Sequence, residues 1–80
     1  MPEPVAVTSQ PKEIEIAKEW VGRSILLHVK GGEKRVDIYD GMELKTKLQF
    51  VNPGGTARLL APEKITVVSQ GESTLQLYKG

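Results

Sequence analysis

Few residues of this 80-residue chain could do chemistry, and none stands in a complete catalytic or metal-binding set. His28 is the only histidine. As a general base it needs a nucleophile or a substrate-positioning partner, and as a metal ligand it needs further ligands beside it. The acidic residues Asp37, Asp40 and Glu43 lack the glycine and the spaced oxygen ligands of a calcium loop. Because the chain also has no cysteine, we expect no enzymatic activity, no cofactor and no metal.

Two further features could bind nucleotides or bases. Residues 52–56 contain two glycines that a phosphate could approach, but a phosphate cradle needs a following helix N-terminus, and this sequence continues as a strand. Four aromatic residues in the whole chain are sparse for a surface on which bases stack. We therefore interpret residues 52–56 as a hairpin turn and Trp20 as a cap on the core.

The elements that must position these residues are short β-strands. Apolar residues recur at every second position in segments separated by Gly31-Gly32, Asp40-Gly41 and residues 52–55. This period is typical of strands, and glycine supplies the positive φ of tight turns. The pattern predicts a mainly β fold: a small barrel or compact sandwich of about five or six short antiparallel strands in a meander.

The strand register follows from the rule that opposite residues of an antiparallel pair share one face. Matching apolar with apolar pairs Leu27 with Val36 across the two-residue turn 31–32 and Ile38 with Leu44 across a three-residue turn at residues 40–42. We expect a four-residue turn at residues 52–55 to form a third hairpin, which pairs Phe50 with Ala57 and Leu48 with Leu59. The predicted inner face comprises Ile25, Leu27, Val36, Ile38, Leu44, Leu48, Phe50, Ala57 and Leu59, joined by Ile65, Val67, Leu75 and Leu77 from two further strands.

The same register gathers basic residues on one outer face. The candidate binding residues are His28, Lys30, Arg35, Lys45, Lys47 and Arg58. Lysine and arginine on one face supply the sequence-independent affinity for phosphates, so nucleic-acid binding is the alternative function. The formal net charge of +1 is far below that of a dedicated nucleic-acid binder. The competing interpretation is a solvated face on which Asp37 pairs with a neighbouring cation.

The N-terminal part divides into an arm and an ambiguous segment. Residues 1–10 carry two prolines and too little apolar bulk to repay the entropy of ordering, so we predict a flexible arm and a single small β-barrel domain over residues 11–80. The apolar residues of the segment 12–20 share one face of a helical wheel, although its first half alternates as a strand does. We predict a short helix there, with an extra strand as the alternative.

Over residues 13–69 a helix candidate is followed by Val21-Gly22-Arg23, an alternating strand and Lys30-Gly31-Gly32. This order of elements resembles the layout of Sm-like RNA-binding barrels. In that family an Arg-Gly pair before the last strand lines the RNA pocket, and this chain has Ala61-Pro62 near that place. The resemblance therefore implies a common barrel geometry and carries over no RNA-binding residue.

Size and composition favour a non-enzymatic protein-interaction or self-assembly module. A domain this small buries only about 60% of the surface that its unfolded chain exposes, so a partner or a second copy adds stability. We expect the final strand, at residues 74–78, to leave a free edge for homo-oligomer pairing. The absence of cysteine, of a secretory leader pattern and of a long apolar run predicts a cytoplasmic protein without membrane contact.

Overall fold

The computed structural model describes residues 4–41 and 43–80, which form eight strands in two antiparallel sheets. The strands are β1 (Val5–Val7), β2 (Lys12–Glu15), β3 (Ser24–Gly32), β4 (Val36–Asp40), β5 (Lys47–Val51), β6 (Thr56–Leu60), β7 (Lys64–Ser69) and β8 (Ser73–Lys79). A 3₁₀ turn, Lys18–Trp20, lies between β2 and β3. The mainly β prediction is confirmed, but there are eight strands rather than five or six. Among the described residues, no helix is long and apolar enough to cross a membrane.

The first sheet has the strand order β1-β8-β3-β6 and the second has β2-β7-β4-β5. The first strand therefore pairs with the eighth, the second with the seventh, the third with the sixth and the fourth with the fifth. This is the strand order of a jelly roll, in which one long antiparallel hairpin folds over itself. Within the described residues the two sheets stay separate, so the fold is a sandwich. Of the two predicted forms, the compact sandwich agrees with these two sheets and the small barrel is wrong.

The predicted meander is also wrong, because most consecutive strands lie in different sheets. β3 and β4 do not pair, so Leu27 and Val36 are not partners, and the expected hairpin of β5 with β6 is likewise absent from the described sheets. Gly31 and Gly32 belong to the end of β3, where a Cβ on Gly32 would clash with the backbone oxygen of Glu72. Alternation predicts which face of a strand is buried. It does not predict the neighbouring strand, because both arrangements turn the apolar face to the core.

β4 and β5 do pair, but in a register that differs from the predicted one. Val36 lies opposite Val51 and Ile38 opposite Gln49, and a β-bulge follows toward the start of β5. The connection spans residues 41–46, of which residue 42 lies outside the described part, in place of a three-residue turn. In this register Gln49 and Val51 point inward. Three predicted core residues are exposed instead: Leu44, Leu48 and Phe50.

The rest of the predicted core is confirmed. Its fully or almost fully buried members are Ile25, Leu27, Val36, Ile38, Ile65, Val67, Leu75 and Leu77. Ala57 and Leu59 pack against this core but stay partly exposed. The structure adds Val7, Ile14, Ile16, Val29, Val51 and Ala61 to the buried set.

Both N-terminal predictions need correction. Val5–Val7 form β1 along β8, with Val7 fully buried, so the expectation that residues 1–10 stay outside the core is wrong for this strand. Residues 1–3 lie outside the described residues. The segment 12–20 contributes β2 rather than a helix, in line with the strand alternative. Three alternating residues in β1 are too few to distinguish a strand from a tail by period alone.

β8 occupies the interior of the first sheet. It pairs with β1 on one side and with β3 on the other. The predicted free edge is therefore wrong for residues 74 and 75, which pair with β1, whereas the pairing of β1 ends at Leu75 and β8 continues along β3 to Lys79. The edges of the sheets are instead β1, β6, β2 and β5.

Candidate interaction surface

The four edge strands lie on two open sides of the sandwich. β1 and β2 are joined by residues 8–11 and flank one side, and β5 and β6 are joined by residues 52–55 and flank the other. We refer to them as the β1–β2 side and the β5–β6 side. Edge strands present backbone N–H and C=O groups to solvent, so each side is a potential site for strand pairing.

The β1–β2 side carries features that discourage pairing. β1 has three residues and follows Pro4, and β2 has four residues and follows Pro11. The outward side chains of β2 are Glu13 and Glu15, and both form ion pairs with Lys64 of β7, at 3.3 and 3.9 Å. Short strands, nearby prolines and charged side chains are the usual means by which proteins protect a free edge.

The β5–β6 side has longer edges and apolar side chains. Each strand has five residues and neither contains proline. The exposed fractions are 36% for Leu48, 44% for Phe50 and 72% for Leu60, and Leu44 in the preceding connection is 48% exposed. Exposed apolar side chains along a free edge are typical of a surface that pairs with another chain.

The backbone of β5 has a donor directed away from the sheet. The Phe50 N–H donates to Oε1 of the neighbouring Gln49 side chain, at 3.3 Å. Because β4 occupies one side of β5, the Gln49 side chain can reach the Phe50 N–H only if that N–H points to the opposite, solvent-exposed side. This donor is therefore available to the carbonyl of an added strand.

The core remains partly open between β5 and β6. Ala57 and Leu59 face inward yet stay partly exposed, because no strand in the described part of the chain covers this side. Gln49, at an inward position opposite Ile38, is also partly exposed. A polar residue is tolerated at this inward position because it lies at the open rim.

The turn that joins β5 to β6 is anchored on β3. The Gly54 N–H donates to the Val29 carbonyl at 2.8 Å, and the Val29 N–H donates to the Gly55 carbonyl at 3.1 Å. Gly54 has φ +81, a conformation that glycine adopts readily. The ring nitrogen Nδ1 of His28 lies 3.0 Å from the Gly55 carbonyl oxygen and donates a hydrogen bond to it in the tautomer that carries the proton on Nδ1. These contacts tie the turn, and with it the end of β5 and the start of β6, to β3.

A charged cluster lies beside β5 on the outer face of the second sheet. Oδ1 of Asp37 lies 3.3 Å from Nε of Arg35 and 3.2 Å from Nζ of Lys47. The guanidinium carbon of Arg35 is 4.9 Å from the centroid of the Phe50 ring, and Nζ of Lys47 is 5.8 Å from that of Tyr39. Both distances are within the range of cation–π attraction. The prediction that Asp37 pairs with a neighbouring cation is confirmed, and the pairing orients Phe50.

The six predicted basic residues do not share one face. His28, Lys30 and Arg58 belong to the first sheet, whereas Arg35 and Lys47 lie at the second sheet on the opposite side of the sandwich. Lys45 lies in the connection 41–46, with Nζ 3.0 Å from Oε2 of Glu43. The predicted face depended on pairing β3 with β4, and these strands belong to different sheets.

Sequence reasoning missed the apolar edge because it assigned Leu48 and Phe50 to the core. Residues 48–51 read Leu-Gln-Phe-Val, so two apolar residues favour one face and one favours the other. Pairing with β4 and the β-bulge turn Val51 inward, which leaves Leu48 and Phe50 on the outer face. No short-range signal in the sequence distinguishes these two registers.

Other features of the described residues give no competing site. They contain no cluster of three or more acidic, histidine or cysteine side chains that could hold a metal. One groove of about 520 Å³ is open to solvent and is lined by Glu15, Ile16, Lys18, Val21, Glu63 and Lys64. In comparisons with protein-family models, curated proteins and solved structures, nothing matches this chain. The jelly-roll strand order alone assigns no function, because one fold hosts many.

Proposed function

We propose that this protein is a non-catalytic protein-interaction module that binds an extended polypeptide strand along its β5–β6 side. The supporting observation is the contrast between the edges. β5 and β6 are longer and are lined by Leu48, Phe50 and Leu60, whereas the β1–β2 side is short and charged. Proteins protect free edges against unwanted pairing, so a long apolar edge supports a role in wanted pairing.

Strand addition at this side uses contacts that the structure leaves available. An added strand accepts a hydrogen bond from the Phe50 N–H in place of the Gln49 side chain. Its outward side chains pack on Phe50 and Leu48, and its inward side chains cover Leu59. Main-chain hydrogen bonds supply affinity in this mode of binding, and alternate side chains supply specificity.

The expected affinity is moderate. Each ladder hydrogen bond contributes about 1 kcal/mol net, and burial of apolar surface contributes about 25 cal/mol per Å². The loss of rotational and translational freedom opposes both contributions. Edges of five residues, although longer than those of the β1–β2 side, therefore support reversible association.

The test selects short peptides from a displayed random library against the folded protein and maps each binding site by amide chemical shifts. We expect the shifts to concentrate in β5 and β6. Phe50→Thr removes the exposed ring and should weaken binding about tenfold or more, which corresponds to about 1.4 kcal/mol.

Tyr78→Thr is the matched control. Tyr78 is 39% exposed, close to the 44% of Phe50, and its strand is separated from the β6 edge by β3. This control should leave binding within about twofold. Selected peptides that shift only amides of β1 and β2, or that lose affinity equally in both variants, would contradict the proposal.

Nucleic-acid binding is the competing outcome of the same experiment. It predicts affinity for single-stranded DNA or RNA that falls steeply with salt, because neutralised phosphates release counterions. Charge reversal at Lys30 and Arg58, which share the first sheet, would then abolish binding. If no peptide is selected and the protein binds single-stranded DNA or RNA tightly and with this salt dependence, the nucleic-acid hypothesis is favoured over the interaction module.

A further inference from the structure

We infer that the strand received by the β5–β6 side belongs to a second copy of this chain, with β5 of each protomer paired to β6 of its partner. The inference rests on the proposed function, because it names the occupant of the same surface. It goes further by assigning a symmetry and a register. Both follow from the way in which the two edges are arranged.

The symmetry follows from the directions of the two edge strands. β5 and β6 are joined by the four-residue turn 52–55, so they run in opposite directions on the same side of the sandwich. A two-fold axis parallel to the strands, placed beside this open side, exchanges the two sheet layers. It sets the partner's β6 antiparallel to β5 and the partner's β5 antiparallel to β6. One rotation therefore pairs both free edges and produces two continuous sheets of eight strands each.

The register follows from the turn. Val51 and Thr56 flank it, so residues of β5 and β6 whose numbers sum to about 107 lie at similar heights. A two-fold axis along the strands preserves height, and outward residues must meet outward residues. Two registers satisfy both conditions, with sums of 106 and 108. The sum of 108 places Leu48 opposite the partner's Leu60 and Phe50 opposite the partner's Arg58. We take this register because the sum of 106 sets Leu48 against Arg58 and leaves Leu60 without an apolar residue opposite it.

The side chains brought together by this register are complementary. Leu48 and Leu60, both exposed in the single chain, cover each other. The one charged residue of β6, Arg58, meets the Phe50 ring that Arg35 already contacts, and Asp37, opposite Phe50 on β4, supplies a negative charge beside the two cations. On the inner face, Gln49 lies opposite the partner's Leu59 and closes the partly open rim of the core.

The alternative two-fold arrangement lacks this charge complementarity. An axis perpendicular to the sheets pairs β5 with the partner's β5 and β6 with the partner's β6. For β6, centred pairing sets Arg58 directly opposite the partner's Arg58, and like charges in that position repel. The β1–β2 side is a poorer route to a dimer because its outward residues on β2 are acidic and its strands are shorter.

The experiment uses the absence of cysteine from the chain. Leu48→Cys and Leu60→Cys are prepared as separate proteins and oxidised alone and as a mixture. The inferred register predicts a covalent dimer that forms only in the mixture. In the two-fold dimer, two copies of either single variant place their cysteines on opposite sheets. Arg58→Cys alone should give no covalent dimer, whereas the alternative arrangement predicts that it links to itself.

Sedimentation equilibrium of the unmodified chain, from micromolar to millimolar concentration, gives the dimer affinity. Leu60→Lys should weaken dimerisation at least about tenfold because it places a charge against the partner's Leu48. Tyr78→Lys, on the same face two strands from the edge, should change the affinity by about twofold or less. Unchanged thermal midpoints show that both variants remain folded.

The outcomes separate this inference from the proposed function. A chain that stays monomeric at millimolar concentration while peptides bind at β5 and β6 overturns the second copy and leaves the interaction module standing. A dimer that links through Arg58→Cys but not through the mixed leucine variants overturns the symmetry. Failure of both peptides and self-association at this side overturns the proposed function as well.

Discussion

The two open sides of the sandwich have the same topology and opposite surface chemistry. Each exposes one edge strand from each sheet, joined by a four-residue connection. On the β1–β2 side, prolines, short strands and glutamates paired with Lys64 oppose further pairing. On the β5–β6 side, Leu48, Phe50 and Leu60 favour it. The comparison teaches that the side chains at an edge, and not the fold, distinguish an edge protected against strand pairing from one that is open to it.

The largest expected effect tests whether the protected side is part of the core. Val7→Asp places a carboxylate at a fully buried position of β1 and should cost about 3 kcal/mol or more in the free energy of unfolding. Ala6→Asp, whose side chain points to solvent on the same strand, should cost about 0.5 kcal/mol or less. Chemical denaturation measures both. Equal losses of stability in the two variants would show that β1 does not contribute to the core and that the two open sides differ in structure as well as in surface chemistry.

The next prediction converts the protected side into an associating one. Glu13→Val together with Glu15→Val removes the charges and leaves an apolar, β-prone edge, so self-association should strengthen about tenfold or more. The control is Glu33→Val with Glu72→Val, two exposed loop positions with the same change in charge. Sedimentation equilibrium compares the two double variants. Association that rises equally in both would mean that net charge, and not edge protection, keeps the β1–β2 side unpaired.

The buried faces of the strands were predictable from the sequence, whereas the order of the strands in the sheets was not. Alternation in β4 and β8 identifies the buried face, since the aliphatic residues Val36, Ile38, Leu75 and Leu77 all lie on the inner side of these strands. β3 and β7 are less regular, because Leu26 and Val68 add an aliphatic residue to the outer side. The same alternation does not predict whether two consecutive strands pair in one sheet, because a hairpin and a crossover to the other sheet both turn the apolar side toward the core. Topology here depends on long-range pairing, such as that of β1 with β8, which no local pattern encodes.

The candidate site was less predictable than the core. Its key residues, Leu48 and Phe50, are apolar and alternate, which are the properties of core residues. Their exposure results from the β-bulge and from Val51 taking the inward position opposite Val36. The basic residues were separated for the same reason, since a face can be assigned only after the strand neighbours are known. What remains predictable is the local pairing of Asp37 with adjacent cations.

A smaller effect concerns the cluster that orients Phe50. Asp37→Asn removes the carboxylate between Arg35 and Lys47, and should cost about 1 kcal/mol because both cations are partly solvated. Glu43→Gln breaks the well-exposed pair with Lys45 and should cost about 0.3 kcal/mol or less. Denaturation at low and high salt measures both losses. Indistinguishable losses would contradict a structural role for the cluster beside β5.

The most direct test of the central claim is hydrogen exchange at the Phe50 amide. This N–H is held only by the Gln49 side chain at the solvent side of β5, so it should exchange rapidly in dilute protein. At a concentration where the chain is associated, or with a saturating selected peptide, an added strand should slow its exchange about tenfold or more, while the edge amides of β2 stay unchanged. Protection that appears at β2, or association that leaves the Phe50 exchange rate unaltered, would contradict pairing at the β5–β6 side.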